Sequence, residues 1–327
     1  MNSLTFSLLR LLADGEFHSG EWMARMLAVS RASVWNALQG LDQVGLTMFR
    51  IRGRGYRLAQ PLTLLDAAHV VGNLGLRAHS FVVEVLESTE STNTLLVQRA
   101  AAGAASGSVI AAEWQTHGRG RRGRVWHATP GAALTFSLLW RFQQGAGFLS
   151  GLSLAVGVAV VRALHALGVD NAGLKWPNDI WWHDSKLAGI LIEMHGDMLG
   201  PSAAVIGIGL NCRMPDSLRR QIDQPATDLE TACGTAVDRN RVLAVLLAEL
   251  ECVLDAFARD GFMPLRDEWQ RLHVYQGRQV RVAMAEGATT GVVKGVAADG
   301  ALLLDTDNGE QRFFGGEVSL LKRHEQG

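Results

Sequence analysis

Cysteine is scarce: the 327 residues hold three, Cys212, Cys233 and Cys252, and no two stand in a CxxC spacing. That argues against a disulfide framework and suits reduced core thiols in a cytosolic protein. The ten His form no HExxH motif and no Cys/His cluster, so no zinc-ligand spacing can be read. Net charge is missing too. Lys and Arg total 31 against 32 Asp and Glu, giving −1, and global charge therefore does not mark a nucleic-acid binder. Residues 148–167 come nearest to a membrane span, but Arg162 and several Gly and Ser make them a core helix. The stretch Leu4–Leu12 contains Arg10 and is followed by no small-residue cleavage pattern, so no signal peptide is expected. Internal repeats and low-complexity tracts are absent. One local absence matters more than these: no Asp or Glu lies between Gln115 and Thr129.

What is present fits a soluble protein of more than one domain, with 48% hydrophobic and 19% charged residues. Charge is unevenly spread. Residues 1–62 carry 7 Lys/Arg and 4 Asp/Glu, and the remainder carries 24 and 28. Within that basic segment, Leu4, Leu8, Leu11 and Leu12 recur at helical spacing. Ser19 can cap a second helix and Ser30 a third. Two short strands, 47–51 and 56–58, then flank the basic turn Arg52-Gly53-Arg54-Gly55. Three helices and a hairpin make a winged helix-turn-helix. Its third helix would offer Arg31, Ser33 and Asn36 to base edges, and its wing Arg50, Arg52 and Arg54 to phosphates. A packing module that never meets DNA has the same outline.

After a boundary at Gln60-Pro61-Leu62, residues 64–74 read as a connecting helix. Strands are expected at 82–86, 109–112, 133–139, 187–193 and 204–208, and helices at 93–102, 150–167 and 239–259. The last helix has Asp238 as a cap and Gly261 as a stop. Beyond Gln276 four short strands, 279–284, 290–296, 301–305 and 311–314, are separated by glycine turns, the pattern of a small barrel.

Three segments carry chemistry. Gly118-Arg119-Gly120-Arg121-Arg122-Gly123-Arg124 puts four Arg on a glycine frame between two strands. With no acidic residue nearby they call for an anion, as a ligand lid, a solvated basic loop or a nucleic-acid patch. Lys175-Trp176-Pro177-Asn178-Asp179 is a turn, followed at Lys186 by the apolar run to Glu193. Lys186 can reach a carboxylate or phosphate, or simply snorkel at the strand mouth. Ser91-Thr92-Asn93 can cap the following helix or bind a polar ligand at its N-terminus.

The stretches STN (91–93), Gln115 with GRGRRGRVW (118–126), KWPND (175–179), KLAGILIE (186–193) and IGIGLN (206–211) resemble, in order and spacing, those of biotin–protein ligases. The amino-terminal segment resembles that of the bifunctional subgroup, both ligase and biotin operon repressor. The likeness spans essentially the whole chain. It implies an α+β fold with a winged helix-turn-helix over 1–62, a mixed α/β, class II synthetase-like ligase domain over 63–274 and an SH3-like barrel over 275–327. It also implies that Ser91, Thr92, Asn93 and Gln115 line a biotin pocket, and that Arg119, Gly120 and Arg121 close over biotin and the adenylate phosphate. Lys186 would touch the biotin carboxylate and α-phosphate, so that Lys186, Arg121 and Asp179 carry catalysis. Asp179 would bind Mg2+ or orient the incoming amine. Arg121, Arg124, Lys175, Asn178 and Asn211 would meet ATP or the adenylate. A Ser-Thr pair also stands at 88–89, and the later copy is taken because Asn93 follows it. No tryptophan near Gln224-Pro225 is available to stack on adenine.

The implied reaction joins biotin and ATP as biotinyl-5′-AMP, then passes biotin to a lysine of the biotin carboxyl carrier protein of acetyl-CoA carboxylase. The adenylate would also act as corepressor, favouring a homodimer on operator DNA. A cytoplasmic protein without membrane attachment follows. The competing readings are a lipoate-type ligase, a winged-helix regulator that senses a small acid without ligase activity, and a DNA-binding protein whose arginine loop touches nucleic acid.

Overall fold

The computed structural model describes residues 1–196 and 200–321, so residues 322–327 of the expected 275–327 unit lie outside the described residues. Near the amino terminus Ser19 and Ser30 cap as expected, and Asn2 caps the first helix. Helices α1 (Ser3–Leu11), α2 (Gly20–Met26) and α3 (Arg31–Ala37) begin where Asn2, Ser19 and Ser30 side chains accept the backbone N–H of Thr5, Trp22 and Ser33. Strands β1 (Met48–Ile51) and β2 (Gly55–Leu58) pair antiparallel as the wing. Phe6, Leu8, Leu9, Leu12, Met23, Val34 and Leu38 pack into a core separate from the rest of the molecule.

The connecting helix is shorter than its apolar pattern. It is α4 (Ala67–Leu74), capped by Asp66. Residues 63–65 stay extended because a buried ion pair claims their backbone: Arg239 donates to Thr63 O, and Leu65 N–H donates to the Glu113 carboxylate. Arg239 and Glu113 are themselves 2.8 Å apart and almost fully buried.

Next come β3 (Val82–Thr89), α5 (Thr92–Ala101), β4 (Ser108–Gln115), β5 (Ala133–Phe142) and α6 (Leu152–Ala166). Four further strands follow: β6 (Gly173–Lys175), β7 (Asp179–Trp182), β8 (Ser185–Gly196) and β9 (Ser202–Asn211). Helices α7 (Asp216–Arg219), α8 (Leu229–Cys233), α9 (Arg239–Asp260) and α10 (Arg266–Leu272) complete this part. The seven strands form one mixed sheet in the order β3-β4-β5-β9-β8-β7-β6, with β3 and β4 parallel and the other pairs antiparallel. Alternation along the strands builds two layers. Val109, Ala111, Leu138 and Ile206 face the α6–α9 core, and Ile110, Leu139 and Val205 face α5 through Leu96.

The short strands β6 and β7 are unexpected. The turn at 176–178 is present, but three and four residues show too little alternation to be read as strands. Lys186, expected just before a strand, lies within β8.

The carboxy-terminal strands are β10 (Gln279–Met284), β11 (Gly287–Val296), β12 (Leu302–Thr306), β13 (Gly309–Phe313) and β14 (Glu317–Leu320). They form an antiparallel sheet in the order β13-β12-β11-β10-β14 rather than the expected four strands, and the first and last are not neighbours. Val280, Val282, Val293, Leu302 and Val318 join the same core as α6 and α9. Trp176 Nε1 donates to Gly300 O at 3.1 Å, fixing this sheet against the KWPND turn, and Arg266 Nε donates to Val296 O at 2.8 Å, fixing it to α10. No helix among the described residues is long and apolar enough to cross a membrane.

Candidate active site

One cavity of about 450 Å³ opens over the ends of β4, β7, β8 and β9. That volume suits a small-molecule ligand. It is lined by Ser91, Thr92, Asn93, Gln115, Arg119, Gly120, Arg121, Arg124, Lys175, Asn178, Asp179, Lys186 and Asn211. Every ligand-site residue singled out from sequence is therefore brought to one place.

At one end, Ser91 caps α5 by accepting Thr94 N–H. Thr92 N–H donates to Gln115 Oε1 at 2.8 Å and its hydroxyl donates to the same atom at 3.2 Å. That consumes the Gln115 carbonyl and leaves its amide protons for a ligand. Asn93 is buried. Its amide donates to Leu191 O and Glu193 Oε2, and its Oδ1 accepts from Ser137 Oγ at 2.6 Å. Ser91, Thr92 and Asn93 are thus all engaged by the protein, the Thr92 hydroxyl also accepting from Ser137 Oγ at 2.8 Å, and the Gln115 amide presents the adaptable polar edge. Ser88-Thr89, the earlier copy, is within β3.

The floor is glycine. A Cβ at Gly207 would stand 2.2 Å from Asn93 Oδ1, and one at Gly209 2.3 Å from the Trp126 ring. Only bare backbone lets these side chains lie on the sheet. Trp126 sits there with its indole Nε1 buried and, among the described residues, without a hydrogen-bond partner.

Four cations border the opposite end. Lys186 Nζ is 2.9 Å from Asp179 Oδ1, both side chains mostly buried. A bulge in β8 helps to place it: Ala188 opposes Ile180, Lys186 opposes Trp181, and Leu187 is the extra residue. The backbone of Lys186 also bonds Pro225 O and Thr227 N, which draws the 221–226 segment to the cavity. Asn178 Nδ2 donates to Ile190 O at 2.6 Å, and its Oδ1 accepts Arg121 Nη1 at 3.1 Å. Burial, then the neighbouring Arg122 charge, pulls the Arg121 guanidinium below its usual range. Burial does the same to the Lys175 ammonium, against the opposing pull of Asp179 and Glu317. Arg124 Nη2 lies 2.6 Å from Glu317 Oε2, and that bond raises Arg124 and lowers Glu317. Asn211 Nδ2 donates to Thr227 O at 3.0 Å.

The arginine loop needs a correction. The lack of local acids implied unpaired guanidinium groups, yet distant strands supply two carboxylates: Glu193 for Arg119 at 2.9 Å and Glu317 for Arg124. Sequence distance hid both partners, 74 and 193 residues away. Also missed were Trp126, which was quoted only as part of a motif, and the whole of β14. The glycines of IGIGLN were the available signal for the floor.

On the winged helix, Arg31 and Asn36 of α3 and Arg52 of the wing are exposed. Ser33 is half-buried, its hydroxyl 2.9 Å from Ser30 Oγ. Arg50 is tied back to Leu38 O and Gln39 Oε1, and Arg54 lies over the Phe17 ring at 4.4 Å. The exposed Trp35 of α3 stands among them and was not foreseen.

Residues 85–211 match the Biotin/lipoate A/B protein ligase family, 275–321 the Biotin protein ligase C terminal domain and 5–57 an HTH domain. The bifunctional ligase/repressor BirA of Escherichia coli (strain K12) is 38% identical over 319 residues, covering 98% of each chain. That of Bacillus subtilis (strain 168) is 30% identical over 314 residues, covering 94% of this chain and 95% of its own. Among solved structures, the biotin protein ligase of Aquifex aeolicus in complex with biotin and ATP superposes with a TM-score of 0.63 at 29% identity. It covers 73% of this chain and 98% of its own. The chain belongs to the biotin protein ligase family, in the bifunctional branch that joins the ligase to an amino-terminal helix-turn-helix.

Proposed function

We propose that the cavity activates biotin with ATP to biotinyl-5′-AMP and pyrophosphate, and that a lysine of a biotin carboxyl carrier protein then takes the biotinyl group, releasing AMP. The observation that carries this reading is the polarity of one cavity. Gln115, its carbonyl held by Thr92, offers neutral hydrogen bonds at one end, Trp126 and glycine form a flat floor, and Lys175, Lys186 and Arg121 gather positive charge at the other. A neutral ureido ring, an apolar chain and a carboxylate meeting a phosphate fit that sequence of surfaces.

Joining a carboxylate to an α-phosphate brings two anions together. Lys186 would leave Asp179 to bridge them, and Arg121, held by Asn178, would stabilise the charge that develops on the phosphoryl oxygens. The carboxylate oxygen attacks phosphorus, the bond to the β-phosphate bridging oxygen breaks, and pyrophosphate leaves. In the second step Asp179, freed from Lys186, would orient the incoming amine, and AMP departs with the anhydride oxygen. Arg124, Lys175 and Asn211 would border the nucleotide. Among the described residues no three His, Cys, Asp or Glu converge on a metal. A single carboxylate, Asp179, beside the Asn178 amide suits Mg2+ held mainly by the nucleotide's own phosphates. When bound there, Mg2+ would neutralise phosphate charge. The 118–126 loop would cover the adenylate and exclude water.

The test is incubation with biotin, ATP, Mg2+ and a carrier domain. Biotinyl-lysine on the carrier and stoichiometric pyrophosphate are expected; the same yield with lipoate in place of biotin, or DNA binding without pyrophosphate, would reject the reading.

A second reading, repression of biotin-operon transcription with the adenylate as corepressor, rests on where the winged helix sits. Trp114 of β4 packs on its core, Arg10 pairs with Glu87 at 2.7 Å, and a Cβ at Gly45 would press on Thr129, at the outgoing end of the loop. Loop ordering would thereby reach the winged helix and favour a homodimer on a two-fold operator. A cytoplasmic location fits a carrier, a nucleotide and an operator as its partners. Gel-shift of a biotin-synthesis promoter should show tighter binding with biotin plus ATP than without; equal binding would refute the switch.

A further inference from the structure

Lys175 differs from three of the other cations of the cavity and, like Arg121, which bonds the Asn178 amide, has no carboxylate partner among the described residues. Lys186, Arg119 and Arg124 each have a carboxylate within 3 Å, whereas Lys175 has no ion pair among the described residues. Its Nζ instead lies 4.2 Å from the centroid of the Trp181 ring and 5.6 Å from that of Tyr275, inside the range of cation–π attraction. Both rings are buried, 7% and 4% exposed, and they meet edge to face at 6.1 Å.

The two rings come from different parts of the chain, and the fold secures their meeting. Trp181 is on β7, which pairs with β6 through Gly173↔Trp181 and Lys175↔Asp179. Tyr275 lies just before the carboxy-terminal sheet, on a segment that runs parallel beside β6, with Val274 N–H donating to Leu174 O at 2.9 Å. Glycine at 173 is needed for that approach, because a Cβ there would stand 2.6 Å from Val274 Cγ1 and 3.0 Å from Leu272 O. Behind Tyr275, His273 stacks on Trp269 of α10 at 4.6 Å and meets Tyr275 at 6.3 Å. Burial pushes His273 down to about 3, so a neutral ring backs the assembly and sets no positive charge against Lys175.

We propose that Trp181 and Tyr275 are positioning residues that hold the Lys175 ammonium on their ring faces, so that it meets the phosphates of the nucleotide with no carboxylate bonded to its N–H groups. The chemistry favours rings over a carboxylate. A carboxylate would compete with the phosphate for the same N–H groups, and breaking that pair would weaken nucleotide binding. A ring face attracts the cation and restricts a flexible side chain, yet leaves its donors for the ligand. Lys186 has the opposite arrangement, with Asp179 to leave before it can act. The inference rests on the ligase reading for the identity of the anion, and it adds that Tyr275, on the segment leading into the carboxy-terminal sheet, tunes the nucleotide site.

The experiment uses the full chain and two readouts: calorimetric titration with ATP and with biotin, and the KM values for each in pyrophosphate exchange. Trp181→Leu and Tyr275→Leu are expected to weaken ATP binding about tenfold, roughly 1.4 kcal/mol, with biotin affinity unchanged and Tyr275→Phe close to wild type. Lys175→Met, which keeps both rings, should lose at least as much ATP affinity, and adding Trp181→Leu to it should change little more. Wild-type ATP affinity in Lys175→Met or in both leucine variants would overturn the proposal. Equal losses for ATP and biotin, or a Phe variant as weak as Leu, would do the same. Absence of biotin-dependent exchange by the wild type would remove the ligase reading instead, and the ATP titrations would still judge the cradle.

Discussion

The arginine loop and the strand-borne floor of the cavity hold their charges in different ways. Arg119 and Arg124 are tied to Glu193 and Glu317 by ion pairs whose side chains remain 30–59% exposed. Such pairs are worth about 0–1 kcal/mol each and are screened by salt. Lys186, Lys175 and Asn178 sit on or between β6, β7 and β8, half-buried and fixed by backbone bonds, a bulge and aromatic rings. The loop can exchange its partners at small cost, and the floor cannot. That division suits a lid over a preorganised reaction centre.

The largest effect is expected on the floor. Lys186→Ala should lower biotin-dependent pyrophosphate exchange by about 10²–10³-fold, the scale of one lost charge-stabilising contact, with the melting temperature little changed. Near wild-type exchange would mean that the floor does not hold the reacting charge.

The next concerns the rigidity behind the floor. In the folded protein His273 titrates near 3, against 6.5 for an ordinary histidine, because burial disfavours its charge. The unfolded chain therefore takes up a proton below pH 6.5 that the folded chain refuses. This contribution to stability is complete above pH 6.5 and is lost as the pH falls toward 3. The loss is roughly 2 kcal/mol between pH 6.5 and about pH 5. Denaturant unfolding at the two pH values should show it in the wild type and not in His273→Phe. An identical pH dependence in both would place the acid sensitivity elsewhere.

The loop should respond differently. Arg121→Gly is expected to leave part of the first step intact but to release the adenylate, seen as biotin on lysines of an unrelated protein such as albumin. A tightly retained adenylate would contradict the lid role. Smallest of all, Arg124→Ala should cost below about 1 kcal/mol of stability and lose even that in high salt. A much larger loss would mean that the Glu317 contact is structural rather than exchangeable.

Much of this was legible in the sequence for specific reasons. Cap residues wrote their own boundaries, as Ser19, Ser30 and Asp238 do. Long amphipathic runs announced α9, and an ordered set of motifs located the cavity. What escaped was non-local. Glu193 and Glu317 reach the loop only after folding, so the loop looked unpaired. Short strands such as β6, β7 and β14 bury too few residues to show a period, and β14 carries Glu317. Residues 64–66 looked helical, and the buried pair of Glu113 and Arg239 took the backbone groups of Leu65 and Thr63 instead. The aromatic support of Lys175 could not be read at all, because Trp181 and Tyr275 are separated by the length of four helices and two strands.

The most direct measurement is exchange of labelled pyrophosphate into ATP by the wild type and by Lys186→Ala, each with and without biotin. The account predicts exchange that requires biotin in the wild type and falls by at least about a hundredfold in the variant. Exchange independent of biotin, or undiminished without the Lys186 ammonium, would contradict it.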